Sequence, residues 1–135
     1  MITKTTPRPP QYYFAVFGDP GTTKPKVEDG DYPHRGYISS LNMKPGDILL
    51  LYCTLPYKQH SMEAPGIGVV TGTSVNNVYY QYFPFDQPVN WVSISATLNQ
   101  YTNRLKNISL KGNWIFEIDR SSFRSLLKGR EIDWP

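Results

Sequence analysis

The chain has 135 residues, 39% hydrophobic, 14% aromatic and 19% charged, enough for one hydrophobic core and too apolar for a disordered chain. Fourteen Lys and Arg against 11 Asp and Glu leave a net charge of +3, which permits an anionic partner without demanding one. One Cys and two His exclude an intrachain disulfide and a multi-cysteine zinc site, and no apolar run approaches the roughly 20 residues that span a bilayer. No signal-peptide centre follows Met1, so the composition implies a soluble cytoplasmic protein with no membrane partner and no cofactor.

Residues 1 to 10 are proline-rich and read as a flexible arm, with a single domain over 11 to 135. Gln11 to Phe17 is aromatic and β-branched and stops at Gly18-Asp19-Pro20-Gly21, which predicts a first strand and a turn. Thr22 to Arg35 is polar, with neither a helical nor a strand period, and reads as a long loop. Tyr37 to Asn42 has the apolar spacing of one short helix, broken by Met43-Lys44-Pro45-Gly46-Asp47.

Ile48 to Thr54 is a continuous apolar run and reads as a strand buried on both faces. Leu55 to Pro65 is polar. Gly66 to Thr73 is β-branched, with glycines at bulge-like intervals that a strongly curved sheet requires. Val78 to Phe83 and Val89 to Ile94 read as two strands joined by a Pro84 to Pro88 connection, and Asn113 to Ile118 as another strand. Asp119 or Ser121 is placed to cap a helix through Ser122 to Lys128, stopped by Gly129. About six strands and two short helices result, an α+β, mainly β fold built as one curved sheet or small barrel.

Catalytic signatures are sparse. Gly66-Ile67-Gly68 lacks the third glycine, the Lys-Ser/Thr ending and the following helix of a phosphate loop. Cys53 lies in the most apolar run, where a free thiol is an inert core residue rather than a nucleophile for His60. Asp19, Asp29, Asp47 and Asp86 occupy turn-like positions, where carboxylates bond local backbone N–H groups. Tyr12, Tyr79 and Phe116 read as aromatics that pack in a β core or project one polar tip to solvent. Tyr37, at a helix entry, and Trp91, in Pro88-Val89-Asn90-Trp91, stand where rings can face a cavity mouth and stack on a planar base.

The order of these segments resembles the EVE and YTH branch of the PUA-like superfamily, small β-barrel modules that bind nucleic acids. The likeness spans most of residues 11 to 128. It is carried by Tyr12 to Asp19, by Gly36-Tyr37-Ile38-Ser39-Ser40-Leu41, and by Met43-Lys44-Pro45-Gly46-Asp47 leading into Leu49 to Thr54. Pro65-Gly66-Ile67-Gly68-Val69-Val70, the Tyr-rich strand, Pro88-Val89-Asn90-Trp91 and the late strand with its helix complete it. Asn90-Trp91-Val92 also looks like the modified-DNA-sensing N-terminal module of McrB-type restriction proteins.

The resemblance implies a pocket for one flipped-out modified base: N6-methyladenine in RNA for YTH modules, modified DNA bases for EVE-like modules of restriction systems. Tyr37 and Trp91 would then be cage walls, Thr54 a small hydroxyl beside the pocket, Gly18 and Asp19 hydrogen-bonding groups, and Tyr52 a further base-binding ring. Tyr37 stands where YTH modules carry Trp. Arg35, Arg104, Lys106, Lys111, Arg120 and Arg124 would meet phosphates. The implied function is a non-catalytic reader of a modified, in particular methylated, base, in DNA ahead of RNA. Its implied setting is fusion to, or association with, a restriction NTPase. The rivals are an ASCH-like hydrolase of a modified nucleoside, which needs a carboxylate, Lys or Tyr converging on the pocket, and a protein-interaction module using exposed tyrosines.

Overall fold

The computed structural model describes residues 9–17, 27–33, 43–54, 62–75, 77–101 and 114–128. In chain order the strands are β1 (Tyr12–Phe17), β2 (Asp31–Pro33), β3 (Ile48–Cys53), β4 (Glu63–Thr73), β5 (Asn77–Asn90) and β6 (Trp114–Ile118). Two helices follow β5 and β6, α1 (Trp91–Thr97) and α2 (Arg120–Leu127), and short 3-10 turns cover Val27–Asp29 and Asn99–Tyr101. The strands form one six-stranded sheet in the order β2-β5-β4-β3-β1-β6, curled into a half-barrel. The expected mainly β architecture is therefore present. The expected helix over Tyr37 to Asn42 lies outside the described residues.

Every side chain of β3 is buried, as its unbroken apolar run requires. It pairs parallel with β1, Tyr12 opposite Ile48 through Phe17 opposite Cys53, and antiparallel with β4. Alternation then sorts the core into two. On one face, Tyr13, Leu49, Leu51, Cys53, Tyr32 and Tyr80 pack together inside the curl. On the other, Phe14, Leu50, Tyr52, Ile67 and Phe85 pack under Ile94 and Leu98 following α1 and Phe123 and Leu126 of α2.

The glycines of β4 mark its curvature. Its pairing with β5 shifts between Ala64 and Gly66 and again between Val70 and Gly72. At Gly68 the Tyr80 ring crosses the backbone so closely that an added Cβ would lie 2.5 Å from it.

Three local expectations are corrected. Thr22 to Arg35 is not loop throughout, because the 3-10 turn and β2 lie within it. Gly30, at φ 74°, turns the chain there and its carbonyl accepts from Tyr80 N–H at 3.0 Å. Tyr32 then drops into the core and donates its hydroxyl to Val16 O at 2.9 Å. A three-residue strand is too short to show a period, so long-range pairing decides it.

The Pro84 to Pro88 connection is instead part of the continuous β5. Residues 84 to 89 lie opposite Gly66 to Ala64, a large bulge that leaves Phe85 to Pro88 without β4 partners. Since Tyr80 N–H points toward β2, the even-numbered N–H positions face that edge, where Pro84 costs no β4 ladder bond.

Val89 to Ile94, expected as a strand, is the end of β5 followed by α1. Asn90 caps the helix, its side chain accepting from Ser93 N–H at 2.9 Å, and Trp91, Ile94 and Leu98 recur at the helical spacing i, i+3, i+7 toward the core. The late helix is as expected, with Asp119 as its cap; that carboxylate accepts from Ser122 N–H at 2.9 Å.

Candidate functional site

β1 and β3 run parallel, so their C-terminal ends emerge side by side, joined by a bond from Thr54 N–H to Phe17 O at 3.0 Å. The start of β4 and the end of β5 reach the same edge, Cys53 lying opposite Glu63 and Glu63 opposite Asn90. Here the structure gathers three of the expected base-binding residues. Tyr52 is buried in the helix-covered core and stacks on Phe14, ring centroids 5.6 Å apart. Trp91 begins α1 rather than a strand, and its half-buried indole tilts onto Tyr52 at 5.2 Å and 41°. Thr54, buried, follows Tyr52 by two residues, which the strand period assigns to the same side.

Tyr52 and Trp91 touch each other, so they are a ring and its backing and not two walls with a slot between. The expected opposite wall, Tyr37, and the polar pair Gly18 and Asp19 lie outside the described residues, as do Arg35, Arg104, Lys106 and Lys111.

Sequence reasoning missed two residues that position the indole. Met62 holds a left-handed backbone, φ 57°, and its carbonyl accepts from Trp91 N–H at 3.0 Å. Asn90 starts the helix that aims Trp91, and an Asn preceding helical apolar spacing was the signal that could have found it.

The ionisable groups at this end do not resemble a nucleophile set. Burial, helped by the nearby Cys53 thiol, pushes the Tyr52 phenol up to about 12, so Tyr52 stays a neutral hydroxyl at physiological pH. Burial likewise pushes the Cys53 thiol up, helped by the charges of Glu28 and Glu63, which keeps it protonated and unreactive. Among the described residues no three His, Cys, Asp or Glu converge as metal ligands, and no helix is long and apolar enough to cross a membrane.

Asp47 has the local duty expected of it. It is buried, and it accepts from Gln11 N–H at 3.1 Å and from Lys44 N–H at 2.9 Å.

The two described phosphate candidates, Arg120 and Arg124, are exposed on α2. They are not beside Trp91. Arg124 borders a cleft of about 450 Å³ whose lining includes Tyr12, Gly46, Ile48, Val69 and Phe123, at the N-terminal ends of β1 and β3. Ile48 there and Tyr52 are four residue steps apart on β3, about 13 Å of strand. The concave surface and the aromatic pair thus occupy opposite ends of one sheet face.

No protein-family model, no curated protein and no solved structure matches the chain.

Proposed function

We propose that this chain is a nucleic-acid-binding module that reads a flipped-out modified base by stacking it on Trp91, without catalysis of its own. The observation that carries this reading is the seating of Trp91. Its indole is half-buried on Tyr52, the Trp91 backbone N–H is fixed to Met62 O, and its helix is capped by Asn90, so a planar surface is held at the strand ends at little further ordering cost. Stacking of a base on such a ring contributes about 1 to 3 kcal/mol, and a methyl group on the base adds buried apolar contact. Thr54 supplies a hydroxyl nearby, and the neutral Tyr52 adds no negative charge that would repel a phosphate chain. Tyr37 closes the cage in this reading, and the modification-dependent restriction setting follows from the motif order in the sequence.

The test is a binding panel of strands differing only in one base modification, prepared in both sugars and as single strands and duplexes. One strand should bind at least tenfold more tightly when modified. A 2-aminopurine at the target position should brighten on binding as its neighbours unstack, whereas continued quenching at saturation excludes the flipped-base mechanism. With two or three phosphate contacts, the log–log dependence of affinity on salt should have a slope of roughly −2 to −3. A flat response points to a small-molecule or protein partner.

A further inference from the structure

The cleft at the opposite end of the sheet face has the dimensions and lining of a second site. Its volume of about 450 Å³ lies within the range of small-molecule sites. Ile48, Val69 and the Tyr12–Phe123 pair, rings 4.6 Å apart, make its apolar wall, and Arg124 is the charged residue that lines it. A ligand matching this lining has a flat apolar body and an anionic group.

The charges around the cleft favour the same ligand. Arg120 and Arg124, at i and i+4, share one face of α2, and Lys128 follows as its C-cap; all three are exposed. Like charges at this spacing repel, and Arg120 in the first turn also opposes the helix dipole, so the stripe costs the isolated fold something that a bound anion offsets. Two carboxylates flank the cleft and both have local duties: Asp119 caps α2, and Asp47 lies between the lining residues Gly46 and Ile48. Asp119 accepts from Ser122 N–H, Ser122 Oγ and Gln100 Nε2, and Asp47 from two backbone N–H groups.

We propose that this cleft is a subsite for one nucleotide unit, its base against Tyr12, Ile48, Val69 and Phe123 and its phosphate on Arg124. The inference rests on the reading of the chain as a nucleic-acid-binding module and extends it to a second contact point. The roughly 13 Å of β3 between Ile48 and Tyr52 runs beneath α1 and α2, so a strand joining the two ends passes outside the helices and needs more than the roughly four stacked steps that this span equals. A strand must therefore exceed about five nucleotides to engage Trp91 and the cleft together, and a shorter one engages a single end.

The test uses the full chain, isotope-labelled and observed by amide NMR, titrated with 5′-AMP, with adenosine and with single strands of two to eight nucleotides. AMP should shift the amides of Gly46, Ile48, Val69 and Phe123, and adenosine should bind roughly tenfold more weakly. Arg124→Gln, an exposed substitution, should remove that preference for the phosphate. Strand affinity should step up at a length beyond about five nucleotides, and Arg124→Gln should abolish the step. Equal binding of AMP and adenosine, shifts confined to other residues, or an unchanged AMP affinity in Arg124→Gln would overturn the subsite.

Failure of the two readings is distinguishable. If Trp91→Ala weakens strand binding while Arg124→Gln changes neither AMP nor strand binding, the subsite falls and the base-stacking function stands. If Arg124→Gln weakens AMP binding while Trp91→Ala leaves strand affinity unchanged, the cleft stands and the base-stacking function falls.

Discussion

The indole of Trp91 and the ring of Tyr52 lie 5.2 Å apart with their planes 41° from each other, and Tyr52 rests in turn on Phe14 at 5.6 Å. This row of rings runs from the middle of β1 to the first residue of α1, so a surface-reaching indole takes its orientation from the core.

Trp91→Ala should therefore have two separable effects. Strand affinity should fall roughly tenfold or more through the lost stack. Stability should fall by about 1 to 2 kcal/mol through the lost contact with Tyr52. Trp91→Phe should recover most of the stability and part of the binding, measured by urea melts beside fluorescence anisotropy. A variant that melts like the original and binds normally would remove Trp91 from the site.

Asn90→Ala removes the acceptor for Ser93 N–H and should cost about 1 kcal/mol, while Asn90→Asp should be close to neutral because it keeps that acceptor. Because Trp91 is the next residue, Asn90→Ala should also weaken strand binding, by less than Trp91→Ala does. Denaturant midpoints and the same anisotropy titration check both.

Gly68→Ala places a Cβ against the Tyr80 ring, whose hydroxyl is bonded to Val27 O and whose backbone N–H is bonded to Gly30 O. The ring is pinned at both ends, so the clash should destabilise by on the order of 1 to 3 kcal/mol. Gly72→Ala, where an added Cβ meets nothing within 4 Å, should stay within a few tenths of a kcal/mol of the original. Similar thermal midpoints for the two variants would contradict the close approach.

Alkaline pH should unfold the chain through its buried phenols. Tyr32 is pushed well above its ordinary value and Tyr52 to about 12, in both cases mainly by burial. A raised folded value means that the folded state holds the proton after the unfolded state has lost it. Stability from these groups is complete below pH 10 and declines as pH rises from 10 through 12, with Tyr52 accounting for on the order of 2 kcal/mol. Tyr52→Phe should flatten part of that decline without altering stability changes below pH 9, as followed by urea melts across the range and by phenolate absorbance.

Where a segment's own residues decide its conformation, the sequence was readable. The run through β3 is apolar at every position and is buried on both faces, and Asp119 caps α2 because its side chain reaches an N–H three residues on. Gly66 and Gly72 of β4 fall at its two register shifts. Of the candidate site, Trp91 was legible as a ring able to stack on a base, and Tyr52 and Thr54 only through the family resemblance; the contact between the two rings was not legible. That contact needs β3, β4 and β5 paired in register before Tyr52 and Trp91 meet.

The apolar periods and the caps follow from the order of residues alone, since a period or a cap is a property of neighbouring residues. Tertiary structure decided the rest. Val89 to Ile94 fits a strand by its β-branched content and a helix by its spacing. The outcome was chosen by Asn90 at the cap, by the bond from Trp91 N–H to Met62 O, and by the core that receives Ile94 and Leu98. Pro84 is tolerated within β5 because its missing N–H falls on the side away from β4, and β2 exists because β5 and the Tyr32 pocket stabilise three residues that have no pattern of their own. Each of these outcomes depends on partners distant in the chain, whose burial and hydrogen bonds exist only once the sheet has formed.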